Sequence, residues 1–351
     1  MPVDIDANIL ARFVSDMLEA AGLDGVASAR VADALVEADS MGLASHGVML
    51  AEMYLRRVQA GSVSLETAGT VVSDQQAVTV LDGRNAFGVL VADQAMAMAI
   101  DKAKSFGLGA VAVRHAFHFG AARRFAVAAA DAGCVGIAMC NTRPLMPAPG
   151  GADRVVGNNP IAVAFPVDGD VPLVLDMATS EAAMGKIRMA ARAGREIPDT
   201  WAVRSDGSAT TDPNEAIDGM LLPSAGPKGF GLAVMIDLMS GLLSGGAAGP
   251  AVQPLYGDMS VPYDCSHLFI AMDAGHFGDA GTIAEQAAAY AEAIRGSRRA
   301  PGVDRLYTPG EPEWERKRAS GGRISVGEPV WDGLSAMAAS LGVVPPSHHQ
   351  S

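Results

Sequence analysis

Apolar residues recur at helical spacing through the first sixty positions. Ile9, Leu10, Phe13, Val14, Met17 and Leu18 share one face of a helix expected over residues 5–22, which Gly22 closes. Ser28 is placed to cap a second helix running to about Ser40, with Val31, Leu35 and Val36 inward. A third passes through Tyr54, Leu55 and Val58 and stops at Gly61. From Val71 the period changes. Ala77–Leu81 reads as a strand and Asp82-Gly83-Arg84-Asn85 as a turn, followed by a helix over 91–105 and a strand over 109–113. A helix over 121–132 and a strand over 135–139 lead into a Pro/Gly-rich stretch, 141–160. Strands follow at 161–165 and 173–175, then a polar segment over 181–227. The most apolar helix, 232–243, a loop over 244–263, a strand at 267–273 and a helix over 280–294 complete the middle of the chain. Charged helical pieces fill the region after Pro301, and no internal repeat is visible. Strands interleaved with helices predict an α/β or mixed α+β enzyme-like fold.

Composition narrows the class. The chain has 351 residues, 49% of them hydrophobic, enough for a large core in one or two domains. Its 26 Lys+Arg against 39 Asp+Glu leave a net charge of −13, which argues against a nucleic-acid partner. Cys134, Cys140 and Cys265 form no CxxC pair and read as buried thiols. The acidic start MPVDIDANILARF has no secretory pattern, and no apolar run reaches the ~18–20 residues of a membrane span. A cytoplasmic protein with no membrane contact is expected. The tail, 346–351, reads as frayed, and its two histidines need no function.

Candidate chemistry lies where strands end and helices begin. Gly107-Leu108-Gly109-Ala110-Val111-Ala112 matches GxGxxA, but a helix precedes it and a strand follows, the reverse of the dinucleotide fingerprint. No GxxxxGK[ST], HExxH or GxSxG occurs. Lys228-Gly229-Phe230-Gly231 opens the most apolar helix, where small residues, free N–H groups and a lysine suit an anion as well as they suit close packing. His118 follows a strand end, and His115 three positions earlier has no cysteine or carboxylate at metal-ligand spacing, so no metal is expected. Arg123 and Arg124 fit either a phosphate contact or a solvated helix face. Asp176 and Glu311 stand at strand or turn positions where caps and sites both form. Ser45-His46, between Gly42 and Gly47, is either a helix cap beside a surface imidazole or a proton-handling pair, since an imidazole titrates near pH 6.5.

Taken in order, several short blocks resemble the type-two malate/L-lactate dehydrogenase family. That family also holds ureidoglycolate and sulfolactate dehydrogenases, diketogulonate reductase and cyclic-imine (piperideine/pyrroline-2-carboxylate) reductases. The blocks are Ser45-His46-Gly47-Val48, His118-Phe119-Gly120-Ala121, Gly157-Asn158-Asn159-Pro160, Asp176-Met177-Ala178-Thr179-Ser180, Gly185-Lys186-Ile187, Lys228-Gly229-Phe230-Gly231-Leu232 and Pro309-Gly310-Glu311. The resemblance implies a non-Rossmann NAD(P)-binding sheet in a mixed α+β fold. A helical part (1–70) would pack with helices of 300–345 around an α/β region (71–299), in a homodimer. It implies His46 as proton donor or acceptor with Ser45 its partner, and His118 as second candidate. Cofactor contacts would come from His118, Phe119, Gly120, Ala121, Asp176, Met177, Ala178, Lys228, Gly229, Pro309, Gly310 and Glu311. NAD and NADP both remain open, with Arg123 and Arg124 leaning slightly toward a 2′-phosphate.

The substrate side departs from the family pattern. The usual Ser-His-Gly-x-x-Arg has Leu50 in place of its arginine, and Gly-Thr-Asn-Pro reads Gly157-Asn158-Asn159-Pro160. Loss of the bidentate carboxylate grip directs attention to Arg143 or Arg57 as a replacement cation. Leu50, Arg143, Asn158, Met184 and Gly185 are the candidate substrate residues. The expected activity is hydride transfer between nicotinamide and a small 2-oxo or 2-hydroxy acid. Cyclic-imine reduction and a catalytically silent cofactor-binding protein are the alternatives.

Overall fold

A computed structural model describes residues 2–347 and 349–350. The chain opens with a short strand, β1 (Val3–Asp6), before helix α1 (Ala7–Ala20). The helix starts later than residue 5 because the Asp6 carboxylate accepts the N–H groups of Asn8 and Ile9, and a capping residue keeps extended backbone. Helix α2 (Gly25–Ser40) is likewise capped by Asp24, which accepts from Val26 and Ala27. The expected cap, Ser28, is instead buried inside the first turn. Two 3-10 turns, 44–46 and 48–50, carry the Ser-His stretch into α3 (Ala51–Gln59).

The middle of the chain is one sheet with helices on both faces. Its elements are β2 (Thr70–Gln75), β3 (Val78–Asp82), α4 (Gly88–Phe106), β4 (Leu108–Ala116), α5 (Arg123–Asp131), β5 (Cys134–Cys140), β6 (Ile161–Phe165) and β7 (Leu173–Met177). Next come α6 (Met184–Arg192), β8 (Ala202–Val203), α7 (Pro213–Asp218), β9 (Met220–Leu221), α8 (Pro227–Ser244) and β10 (Cys265–Asp273). The seven-stranded order is β2-β3-β4-β10-β5-β6-β7. Only β3 and β4 run parallel; every other neighbour is antiparallel, so this is not a doubly wound nucleotide fold. Gly107 ends α4 in the left-handed region at φ 83°, as the rejection of the GxGxxA reading requires.

Strand alternation sorts the core into two layers. Val111, Val113, Ala138 and Phe269 join α4 and α5 in the main core, whereas Ala112, Met139 and Leu268 meet Ile236 of α8 on the opposite face. Helix α5 lies so close to the sheet that a Cβ on Gly136 would fall 2.4 Å from the Ala126 carbonyl oxygen.

The terminal parts come together. After α9 (Ala274–Phe277), α10 (Ala280–Arg295) and α11 (Glu311–Ala319), strand β11 (Arg323–Val326) pairs antiparallel with β1, and α12 (Glu328–Ser340) packs on α3. The tail expected to fray contributes β12 (His349–Gln350), whose backbone completes the other edge of β1. An unpaired strand edge recruits any extended segment that can reach it. His348 and Ser351 lie outside the described residues. The supposed polar separator, 181–227, is also folded. It contains α6, β8, α7 and β9, and Ile187, Ile197, Ala202, Ala216 and Leu221 close with Met146 and Val156 into a second small core. Its apolar residues are too scattered for a periodic signal, since short elements joined by turns bury them. Among the described residues no helix is long and apolar enough to cross a membrane.

The cap assignment has a direct test. Asp24→Ala is expected to lower unfolding stability by ~1 kcal/mol, read as a fall in Tm. Ser28→Ala, whose hydroxyl has only a 3.4 Å contact to the Leu23 carbonyl, loses less.

Candidate active site

Strand register collects the chemistry at one end of the sheet. Ala116 of β4 lies opposite Cys265 of β10, His267 opposite Cys140 of β5, Met139 opposite Ile161 of β6, and Ile161 opposite Met177 of β7. The residues just beyond these ends therefore converge: Phe117-His118, Asn141-Thr142-Arg143, Asn158-Asn159, Met177-Ala178-Thr179 and Tyr263. Helices α2 and α3 bring Ser45-His46 to the same end.

His46 and His118 stack with ring centroids 5.7 Å apart and planes 16° from parallel. Ser45 Oγ stands 2.9 Å from His46 Nδ1. Dense surroundings shift the half-buried His46 below the ordinary imidazole pKa by desolvating its charged form. His118 is held differently. The backbone N–H of Gly120 approaches its Nδ1 at 3.4 Å, and a backbone amide can only donate, so that nitrogen is the acceptor and Nε2 carries the hydrogen. The Tyr54 hydroxyl then donates to the same Nδ1 at 2.6 Å. Burial, with the His46 and His267 imidazoles nearby, pushes the pKa of His118 down to about 3. His118 is thus a neutral hydrogen-bond donor of fixed tautomer, whereas His46 has the Ser45 hydroxyl as its one hydrogen-bond partner among the described residues.

The walls are aromatic. Tyr54 meets Phe117 edge-on at 5.0 Å, and Phe117 meets Tyr263 at 6.2 Å. Tyr54, Tyr263 and the Asp39 carboxylate beneath the Ser-His turn escaped the sequence reading. In Tyr54 the available signal was a hydroxyl on an otherwise apolar helix face, eight residues after His46.

The two candidate cations separate. Arg57 is fully buried and donates to the carbonyls of Pro254, Leu255 and Val261 and to the Ser62 hydroxyl. It clamps the 254–261 loop and has no donor left for a substrate. Arg143 has no hydrogen bond or ion pair from its guanidinium among the described residues. The two residues before it are pinned. Asn141 donates to Asp237 and Ala247, and Asn159 accepts the Thr142 N–H at 2.8 Å. Partial burial and the neighbouring Arg154 depress the Arg143 pKa, against the opposing influence of Tyr263. Asn158 reaches the Thr142 hydroxyl at 3.2 Å, which places it beside Arg143. Leu50 packs inside the main core, so its replacement of a cation leaves hydrocarbon turned away from solvent. Met184 packs against the second core, and Gly185 faces open space on α6.

The cofactor candidates form a second group. The Arg123 backbone amide at the start of α5 favours the charged form of Asp176. Solvent reaches this carboxylate, yet the chain packed around it raises its pKa to about 6, with Arg123 opposing the rise. Gly310 packs on β7: a Cβ there would fall 2.8 Å from Val174 Cβ, and the Val174 N–H donates to the Pro309 carbonyl. Gly229 packs as closely, since a Cβ would fall 2.3 Å from the Ser224 carbonyl oxygen. Lys228, next to it, is exposed and forms no ion pair among the described residues. No side chain caps the N-terminus of α8.

Four side chains lie differently than expected. Glu311 is buried and engaged; burial raises its pKa, but hydrogen bonds from Thr308 and the charge of Arg295 outweigh that and hold it at about 2. The Phe119 ring is in the core, stacked on Phe125 at 5.1 Å and His267 at 4.6 Å, which leaves only its backbone for a ligand. Arg123 and Arg124 form neither a solvated face nor a free phosphate grip. Arg123 lies over Trp314 at 5.3 Å and Arg124 pairs with Glu37 and Asp93. His115, within β4, pairs with Asp82. A cleft of about 370 Å³ between α2, α5 and α11 reaches Phe119, Ala121 and Arg123.

Comparison with known proteins identifies the family and the fold. The family model described as malate/L-lactate dehydrogenase matches residues 5–335. A malate dehydrogenase of Pyrococcus abyssi is 35% identical over 97% of this chain and 96% of its own. Ureidoglycolate dehydrogenase (NAD(+)) of Escherichia coli K12 is 35% identical over 90% and 89%. The crystal structure of malate dehydrogenase from Entamoeba histolytica superposes with a TM-score of 0.93 at 27% identity, covering 99% of this chain and 100% of that one.

Proposed function

The chain belongs to the malate/L-lactate dehydrogenase family, whose members are NAD(P)-dependent oxidoreductases, and from that membership we propose the chemistry of its own residues. The protein transfers hydride between NAD or NADP and a small 2-oxo or 2-hydroxy acid, and His46 carries the accompanying proton. The observation that carries this reading is the unequal pair of stacked imidazoles. His118 is locked neutral by Tyr54 and Gly120, whereas His46 has only the Ser45 hydroxyl at Nδ1 and keeps the other nitrogen for exchange.

The residues present fit a dinucleotide. The open α8 N-terminus and Lys228, which has no ion pair among the described residues, suit a pyrophosphate, the solvent-reached Asp176 carboxylate suits a ribose hydroxyl, and empty space lies where a Gly120 side chain would project. When bound, the cofactor supplies or accepts the hydride. The chain's part is to orient and to move the proton. In the oxidising direction neutral His46 takes the hydroxyl proton, and in the reducing direction protonated His46 returns it. His118, through Nε2–H, steadies the substrate or carboxamide oxygen without changing charge. Arg143, a guanidinium with no acid partner in a chain of net charge −13, anchors the carboxylate in place of the arginine missing at Leu50. A cyclic imine bearing a 2-carboxylate would use the same anchor against the Tyr54–Phe117–Tyr263 wall.

The outer face of α8 supports a homodimer. Met235, Leu238, Leu242 and Leu243 are all exposed there, and a second copy of the chain would cover them.

These readings carry four tests. His46→Ala is expected to lower kcat by ~10²–10⁴ on the best member of a panel of 2-oxo acids and cyclic imines; persistence of activity within about tenfold removes His46 from the role. Because burial lowers the pKa of His46, oxidation should fall only as pH drops through a value below 6.5, and reduction should decline as pH rises through the same value. Arg143→Ala should raise KM for carboxylate substrates with little change in cofactor affinity, and an unchanged KM would exclude it as anchor. Leu242→Lys should shift sedimentation from dimer to monomer; a native chain that sediments as a monomer rules the dimer out.

A further inference from the structure

The Ser-His turn rests on a carboxylate from the helix before it. Asp39, on the last turn of α2, accepts the Val48 N–H through Oδ2 at 2.7 Å. Gly47 lies directly over the same group: a Cβ there would fall 2.0 Å from Oδ1, 2.2 Å from Cγ and 2.4 Å from Oδ2 of Asp39. The backbone of Gly47, at φ −88° and ψ −158°, lies outside the left-handed region that calls for glycine. Glycine stands in this Ser-His-Gly stretch because the carboxylate fills the space of its side chain.

The two 3-10 turns around Gly47 have no side-chain cap of their own other than this contact. Three-residue turns are weak by themselves, and Ser45 is exposed. Asp39 has no ion pair among the described residues, and burial, only partly offset by the Val48 N–H, raises its pKa to about 6. A carboxylate desolvated without a cation makes a poor stabilising device. Its value to the protein lies in where it puts the turn.

We infer that Asp39 is a positioning residue for proton transfer, seating the turn against Gly47 and Val48 so that the His46 imidazole lies face to face with His118. The inference rests on the reading of His46 as proton carrier.

Four variants, with His46→Ala in parallel, test it. Asp39→Ala should reduce kcat by about tenfold to a hundredfold, the scale of a small misplacement of a catalytic group. KM and the Kd for NADH and NADPH, measured by cofactor fluorescence, should stay within about twofold, and Tm should not fall. Asp39→Asn, whose amide oxygen still accepts from Val48, should recover most of the kcat lost in Asp39→Ala. Gly47→Ala should also lose kcat, and adding Asp39→Ala to it should cost nothing further because the new methyl enters the vacated space. The His46 ring resonances, followed by NMR on histidine-labelled protein, should move in Asp39→Ala and return in Asp39→Asn. Native kcat and an unmoved His46 resonance in Asp39→Ala would overturn the inference. So would equal losses in Asp39→Ala and Asp39→Asn, or losses matched by a lower Tm and weaker cofactor binding. If His46→Ala stays active the proton reading fails, while the NMR shift still decides whether Asp39 seats the turn.

Discussion

Everything at the site depends on the insertion of β10 between β4 and β5. This strand comes late in the chain yet pairs along its length with both neighbours, Leu268 opposite Ala112 on one side and Met139 on the other. Its register decides which residues stand at the sheet's end. It aligns the exit of β4 toward His118, the exit of β5 toward Arg143 and its own entry from Tyr263. A slip of one residue would exchange the two faces of the strand, bury Leu268 where Phe269 now packs, and scatter the cluster.

Within that frame the site is built from groups that burial keeps uncharged. His118 and His267 are both held at about pKa 3, and the Cys140, Tyr54 and Tyr263 protons are all held more tightly than usual. A low-dielectric pocket penalises any charge without a partner. Two exceptions then acquire meaning. Among the described residues no acid pairs with Arg143, and His46, whose pKa burial lowers, has only a hydroxyl at its Nδ1. One suits an anionic substrate and the other suits a proton in transit.

Much of the fold was legible in the chain's periodicity. Strand β6 falls where the alternation of Ile161–Phe165 put it, and α4, β4, α5, β5, β10 and α10 lie within a few residues of their expected ranges. Misreadings came where a local signal had a competitor. Asp24 displaced Ser28 as cap, because the residue four positions earlier offered a stronger acceptor. The 181–227 segment reads as polar because its buried positions are spread over two short helices and two two-residue strands. Arg57 read as a candidate anchor, yet its donors go to loop carbonyls some two hundred positions away, a contact that spacing does not reveal.

The sequence by itself determined the element types, the rejection of the glycine-rich decoy, the family resemblance and most of the residues that gather at the site, because helix and strand periods and short motifs are local properties. Only the tertiary structure decided what those residues can do. The second hydrogen bond to His118 Nδ1 comes from Tyr54, 64 positions away, and the freedom of Arg143 against the captivity of Arg57 depends on which carbonyls each meets. The glycine of the Ser-His-Gly stretch depends on a carboxylate from the preceding helix. Hydrogen-bond partners and desolvation are set by neighbours in space, and a chain has no such neighbours until it folds.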